Sequence, residues 1–247
     1  MILIGQASKT SFFYKKNKVR LPNWRLFYKL KCNSTEIQLS NYLKNKNKIN
    51  NPLAIISKEQ LQGFGQHQRK WISPKGGIWL SAAYPIYSPR FNPEVFSLSL
   101  ACKLCRILSN DYISLKLKWP NDILYGSRKL IGFLPKIVTR GDNVLYARIG
   151  IGFNLNNRTP PEGIALSEII NKKYLSEYFW TSEILRGIVE AIQSNHNTEE
   201  IILEANKLID KKYLPSGYRD NQYHIKDIDS HGNLRLLSRD GIKVIRN

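Results

Sequence analysis

Apolar residues recur along this chain in two periods, and their order sketches an α+β protein. The first regular stretch follows Asn33-Ser34-Thr35, where Ile37, Leu39, Tyr42 and Leu43 stand at helical spacing. Ser34 or Thr35 is a natural N-cap, because a side-chain hydroxyl accepts from an otherwise unpaired amide of the first turn. Leu53-Ala54-Ile55-Ile56-Ser57 reads as a short buried strand. Residues 60–71 form a polar loop carrying Gly63 and Gly65, and 78–84 read as the next strand, so loop and strand together resemble a flap over a sheet edge. Residues 94–109 carry the clearest helical period. Alternation over 113–118 predicts a strand that Pro120 must end, since proline donates nothing to a ladder. A hairpin turn at 123–128, a strand at 129–138, a turn at 141–143 and a return strand at 144–151 follow. Helices are expected at 182–192, with Ser182 as cap, and at 198–208. Alternating segments at 223–228, 234–237 and 242–245 then predict a small β module, while residues 1–30 show no clear period.

The expected architecture is a mixed sheet packed with helices, divided into a basic N-terminal arm (1–30), a main domain (31–212) and a small C-terminal β domain (222–247). Length and 42% hydrophobic content suffice for a well-buried core. The formal charge of +19 admits phosphates, acidic partners, nucleic acid or a membrane surface. The basic residues are spread along the chain, with Lys44, Lys46 and Lys48 the nearest thing to a cluster, so nucleic acid is not the expected partner. No apolar run approaches the roughly 20 residues that span a bilayer. Three cysteines fit a reducing, cytoplasmic setting. Cys102 and Cys105 fall on one helical face with no second pair to complete a zinc site, which predicts core residues.

Candidate chemistry gathers where the chain turns. Lys118-Trp119-Pro120-Asn121-Asp122 brings a cation, an amide and a carboxylate to one strand end, a set that can hold a phosphate, a metal and an orienting hydrogen bond. Read alone, it is also ordinary turn chemistry. Gly63 and Gly65 would let backbone amides approach an anion, with Arg69 and Lys70 beside them. Gly132, and Gly150-Ile151-Gly152-Phe153-Asn154, allow further close approach.

In this order the blocks resemble the biotin protein ligases (biotin–acetyl-CoA-carboxylase ligases), in the form without an N-terminal DNA-binding domain. Ser34-Thr35, residues 60–71, Lys118-Trp119-Pro120-Asn121-Asp122, Arg128-Lys129-Leu130-Ile131-Gly132 and residues 150–156 carry the resemblance, which covers about 30–247. The third and fourth blocks are highly specific. The resemblance implies a class II synthetase-like, biotin/lipoate-ligase catalytic domain with an SH3-like C-terminal module. It implies that ATP, with Mg²⁺, activates biotin to biotinyl-5′-AMP, and that biotin then passes to a lysine of the biotin carboxyl carrier domain of acetyl-CoA carboxylase. It assigns Lys118, Asn121 and Asp122 to the reaction centre, with Lys118 as the charge stabiliser there and Asp122 a candidate Mg²⁺ ligand. It assigns Ser34, Thr35, Gln60, Gly63, Phe64 and Gly132 to biotin. Gln66, Arg69, Trp71, Lys129, Gly152 and Asn154 fall to ATP and the adenylate.

One departure stands out. The family's flap usually reads Gly-Arg-Gly-Arg, and here it is Gly63-Phe64-Gly65-Gln66. Loss of a charge-assisted phosphate contact costs about 1.5–3 kcal/mol, which Lys58, Arg69 or Lys70 would have to make good. A non-catalytic or weakened homologue, and a lipoate or octanoate transferase of the same fold, are therefore the rival readings. The C-terminal strands would dock on their own core or on a second chain, as in a homodimer.

Overall fold

The structure, a computed structural model, describes all residues except 1–3, 17–21, 45, 47, 111, 112, 220, 221 and 247. In chain order the elements are α1 (Ile4–Lys15), β1 (Arg25–Lys29), α2 (Thr35–Leu43), β2 (Leu53–Ser57), β3 (Ile78–Pro85) and α3 (Phe96–Leu108). There follow β4 (Leu115–Lys118), β5 (Asp122–Tyr125), β6 (Arg128–Arg140), β7 (Asn143–Phe153), α4 (Leu166–Ile169), α5 (Glu177–Gln193) and α6 (Thr198–Leu208). The chain ends in β8 (His224–Ile228), β9 (Leu234–Ser238) and β10 (Gly241–Ile245). Seven strands form one mixed sheet in the order β1-β2-β3-β7-β6-β5-β4, with only the β1–β2 pair parallel.

Strand alternation separates the two faces of this sheet. Ala54 and Ile56 of β2, with Ile149, Ile151 and Phe153 of β7, join the large core built with α3, α5 and α6. Leu53 and Ile55 face the other way and pack with Ala83, Tyr146 and the α2 residues Leu39 and Leu43. One short helix thus covers part of the second face and leaves the rest open. The C-x-x-C lies in the large core as expected. Burial pushes both thiols up, Cys105 to about 12.

Two expectations need correction. Residues 1–30 contain α1 and the edge strand β1; residues 1–3 and 17–21 of that stretch lie outside the described residues. The segment lacks a period because part of its buried face is polar. Thr10 is fully buried against the Tyr28 hydroxyl at 2.6 Å, and Trp24 Nε1 donates to the Tyr14 hydroxyl at 3.0 Å. The helix expected to start at Ser182 begins at Glu177, capped by Ser176, whose Oγ accepts from Phe179 N. Ser182 is buried within it and donates to the Phe179 carbonyl at 2.6 Å.

The C-terminal antiparallel sheet, in the order β10-β9-β8, docks on its own chain. Ile225, Ile228, Leu234 and Leu236 join the large core. Asn206 of α6 bonds both the amide and the carbonyl of Ile228, and Trp119 Nε1 donates to the Gly232 carbonyl at 3.0 Å. The module therefore braces the 118–122 turn directly. No helix among the described residues is long and apolar enough to cross a membrane.

Candidate active site

The open part of the second face is a cavity of about 310 Å³, and β7 explains why it exists. Ala147, Ile149, Ile151 and Phe153 point into the large core, so Arg148, Gly150 and Gly152 point the other way. Opposite Gly150 and Gly152 stand Leu134 and Gly132 of β6. The floor between these strands therefore carries few side chains, and three glycines leave space for a ligand. The walls are the start of α2, the 118–122 turn and the 60–71 flap, whose Phe64, Gln66, Arg69, Lys70 and Trp71 all line the cavity. The flap is held by its own bonds, Trp71 N to Gly63 O and Gly65 N to Arg69 O, both 2.8 Å.

Of the residues singled out in the sequence, Ser34, Thr35, Gln60, Phe64, Gln66, Arg69, Trp71, Asn121, Asp122, Lys129, Gly132, Gly152 and Asn154 line this space. Gly63 and Lys118 do not. A Cβ at Gly63 would lie 2.6 Å from Ser73 Oγ and 2.7 Å from the Trp71 carbonyl, so glycine there lets the flap strands pack. Lys118 reaches Asp122 Oδ2 at 3.6 Å, and its ammonium lies 5.6 Å from the Tyr213 ring centroid. Lys129 lines the cavity with Arg69 and Lys70, and stands 2.6 Å from Asp122 Oδ1. Of the two lysines beside Asp122, Lys129 and not Lys118 lines the cavity. The physical reason is a bulge between β5 and β6, where the register shifts after Ile123 and leaves Leu130 as the extra residue. Lys129 and Gly132, three apart, then share a face, and a Cβ on Gly132 would lie 2.8 Å from Lys129 Nζ.

Asp122 is thus held between two ammonium groups. Burial lowers the Lys129 pKa from the ordinary lysine value; Asp122 pulls against this, while Lys118 and Arg69 add to the lowering. Asn121 and Asn154 shape the site through the backbone. Asn121 Nδ2 donates to the Phe133 carbonyl at 2.6 Å, and Asn154 Nδ2 to the Lys129 carbonyl at 3.1 Å. At the opposite end, Gln60 Oε1 accepts from Thr35 N and Oγ1, and Gln60 Nε2 donates to Ser73 Oγ. Thr35 Oγ1 also meets Ser81 Oγ at 2.9 Å.

Trp71 roofs the middle. Its ring centroid lies 4.4 Å from Lys129 Nζ, and its indole Nε1 is buried without a partner. A Cβ at Gly152 would fall 2.5 Å from that indole. Gly152→Ala is therefore expected to cost about 1–3 kcal/mol in overpacking and to displace Trp71, read as a lower Tm together with a changed Trp71 fluorescence.

Among the lining residues not singled out beforehand are three polar ones, Glu36, Ser81 and Glu162. Arg148 was also missed, and it forms an ion pair with Glu36 of α2 on the same face of the sheet. A charge on the same strand parity as two glycines was the available signal for Arg148. Lys58, considered as a substitute cation, is tied to Glu177.

The sequence profile of the biotin/lipoate A/B protein ligase family matches residues 30–154, half of the chain. The chain belongs to this family. Among family relatives, the bifunctional ligase/repressor BirA of Bacillus spizizenii is 31% identical over 144 residues, 58% of this chain and 44% of that protein. The human biotin–protein ligase is 30% identical over 135 residues, 51% of this chain and 18% of that one. The matched segment thus spans less than half of either relative. In fold, the chain is similar to the biotin protein ligase of Aquifex aeolicus in complex with biotin and ATP. The TM-score is 0.70 at 23% identity, over 90% of this chain and 96% of that one. The Leishmania major biotin protein ligase with biotinyl-5-AMP gives 0.58 at 23% identity, covering 92% and 100%. The family's α+β fold, with its seven-stranded mixed sheet and small C-terminal sheet, is thereby established.

Proposed function

We propose that this chain is a biotin protein ligase that converts biotin and MgATP to biotinyl-5′-AMP and pyrophosphate, then transfers biotin to a lysine of a biotin carboxyl carrier domain, that of acetyl-CoA carboxylase. The observation that carries the proposal is one cavity with a neutral polar end at Thr35, Gln60 and Ser81 and a cationic end at Lys129 and Arg69. Such a cavity suits a molecule with an uncharged polar head and an anionic tail. The first step brings two anions together for in-line displacement at the α-phosphate, so positive charge at that point lowers the barrier. Lys129 is the residue to supply it, oriented by Asp122, with Arg69 and Lys70 contributing from the flap. Trp71 offers a face for the nucleotide base and a free indole N–H. In the second step the carrier amine attacks the acyl carbonyl and AMP leaves. The flap keeps water from the mixed anhydride until then.

Both oxygens of Asp122, the candidate Mg²⁺ ligand, pair with lysines, Lys118 and Lys129. Among the described residues no group of three His, Cys, Asp or Glu gathers to hold an ion. In this reading Mg²⁺ arrives with the ATP phosphates. The C-terminal sheet would be the SH3-like module of the family, here bracing the 118–122 turn. The test is a streptavidin blot after incubation with ATP, biotin and a carrier domain; a labelled carrier that depends on both small molecules supports the proposal, and an unlabelled carrier opposes it.

Phe64 and Gln66 face the cavity without charge, which favours an enzyme that holds its adenylate weakly. Gln66→Arg is expected to slow release of biotinyl-AMP by about tenfold, the scale of one charge-assisted contact. The check is the off-rate of labelled adenylate on a desalting column.

A further inference from the structure

The polar end of the cavity holds one acceptor that the protein leaves unused. Glu36, second residue of α2, lines the cavity. Its Oε1 is bonded by the Arg148 guanidinium, which also donates to Ser40 Oγ at 2.6 Å. Its Oε2 is buried and has no partner. That oxygen faces the floor, since a Cβ built on Gly150 would stand 3.9 Å from it. Of the neighbouring polar groups, Thr35 is paired with Gln60 and Ser81, and Gln60 with Ser73, while Arg148 Nε is buried without a partner, as Oε2 is. A carboxylate in an ion pair accepts hydrogen bonds and donates none. Leaving it buried and unmatched is costly.

We propose that Glu36, fixed by Arg148, is a specificity-determining residue that accepts a hydrogen bond from an N–H of the substrate's head group. It would select a cyclic urea against a dithiolane or a plain alkyl end. This rests on the ligase reading. The orientation follows from charge: Lys129 and Arg69 draw the carboxylate and phosphates to their end, while Arg148 is already neutralised by Glu36 at the other. A urea ring offers N–H donors beside its carbonyl. A dithiolane or an octanoyl tail offers none and would leave Oε2 without a partner. Sites built around a buried polar group reject analogues that cannot bond it far better than apolar pockets reject analogues by size.

The test is calorimetric binding of biotin and of octanoate to the full chain without ATP. Glu36→Gln puts an amide where the ligand N–H points once Arg148 has taken the remaining oxygen. It is expected to weaken biotin by about tenfold or more and to leave octanoate within about threefold of wild type. The paired replacement Glu36→Met with Arg148→Met removes the ion pair without leaving either charge alone. It should keep the fold by thermal melting, lose the preference for biotin and retain octanoate. Equal weakening of both ligands would make Glu36 structural only and overturn the proposal. An unchanged biotin-to-octanoate ratio would mean that water satisfies Oε2, and would overturn it equally. A wild-type chain that binds no biotin, while its Tm shows it folded, would overturn the ligase reading and this inference with it.

Discussion

In the proposed reaction Lys129→Ala is expected to slow the adenylation step by about 10²–10³-fold, the usual consequence of removing one preorganised charge stabiliser, with a smaller fall in Tm than Asp122→Ala because Lys118 still pairs with Asp122. The Lys129 ammonium is the cavity cation closest to Asp122, at 2.6 Å, and lies over Trp71. Lys118→Ala should do far less. Lys118 lies outside the cavity with 36% of its side chain exposed, and ion pairs so exposed are worth about 0–1 kcal/mol. Single-turnover formation of AMP-linked product separates the two variants. The lowered pKa of Lys129 adds a pH signature. In the proposed reaction the charged form is the active one, so the rate is expected to fall as pH rises through the pKa of Lys129, at a point earlier than for an ordinary lysine. Lys129→Arg keeps its charge throughout, so its residual activity should lose this alkaline limb, whatever its absolute rate. A limb that persists in Lys129→Arg would assign it to another group.

Asp122→Ala should remove both activity and stability. Asp122 is 9% exposed and separates two ammonium groups. Without it Lys129 remains in a desolvated position, unpaired and facing Lys118. Removal of one partner from a buried pair costs about 3–5 kcal/mol; partial exposure of both lysines places this case near the lower end. A fall in Tm of several degrees is expected. Asp122→Asn, which still accepts one hydrogen bond, should melt closer to wild type while adenylating poorly. An Asp122→Ala protein with wild-type Tm would show that water already solvates Lys129 and that the carboxylate serves no electrostatic purpose.

Much of the architecture could be read from periodicity, because the large core is built from regular apolar spacing on α3, α6 and β2. Helix α1 escaped because Thr10 and Tyr14 bury polar groups, so hydrophobic period could not mark its inner face. The site was legible as a set of motifs but not as geometry. Two lysines flank Asp122 in sequence, and only the bulge at Leu130 decides that Lys129 enters the cavity. The glycines of β7 signalled close approach, yet what approaches Gly152 is first of all Trp71, from the flap. Glu36 and Arg148 are 112 residues apart, and their pairing follows from α2 packing on β2 and β3, next to β7 in the sheet. Such cross-element pairs leave no local pattern.

The most direct test of the proposed chemistry is biotin-dependent exchange of labelled pyrophosphate into ATP by the purified chain. The arrangement of Lys129, Asp122 and Arg69 at one end of the cavity predicts exchange that rises with biotin, saturates, and is lost in Lys129→Ala. Absence of exchange at saturating biotin, from protein shown by melting to be folded, would contradict the assignment of this cavity as an adenylating site.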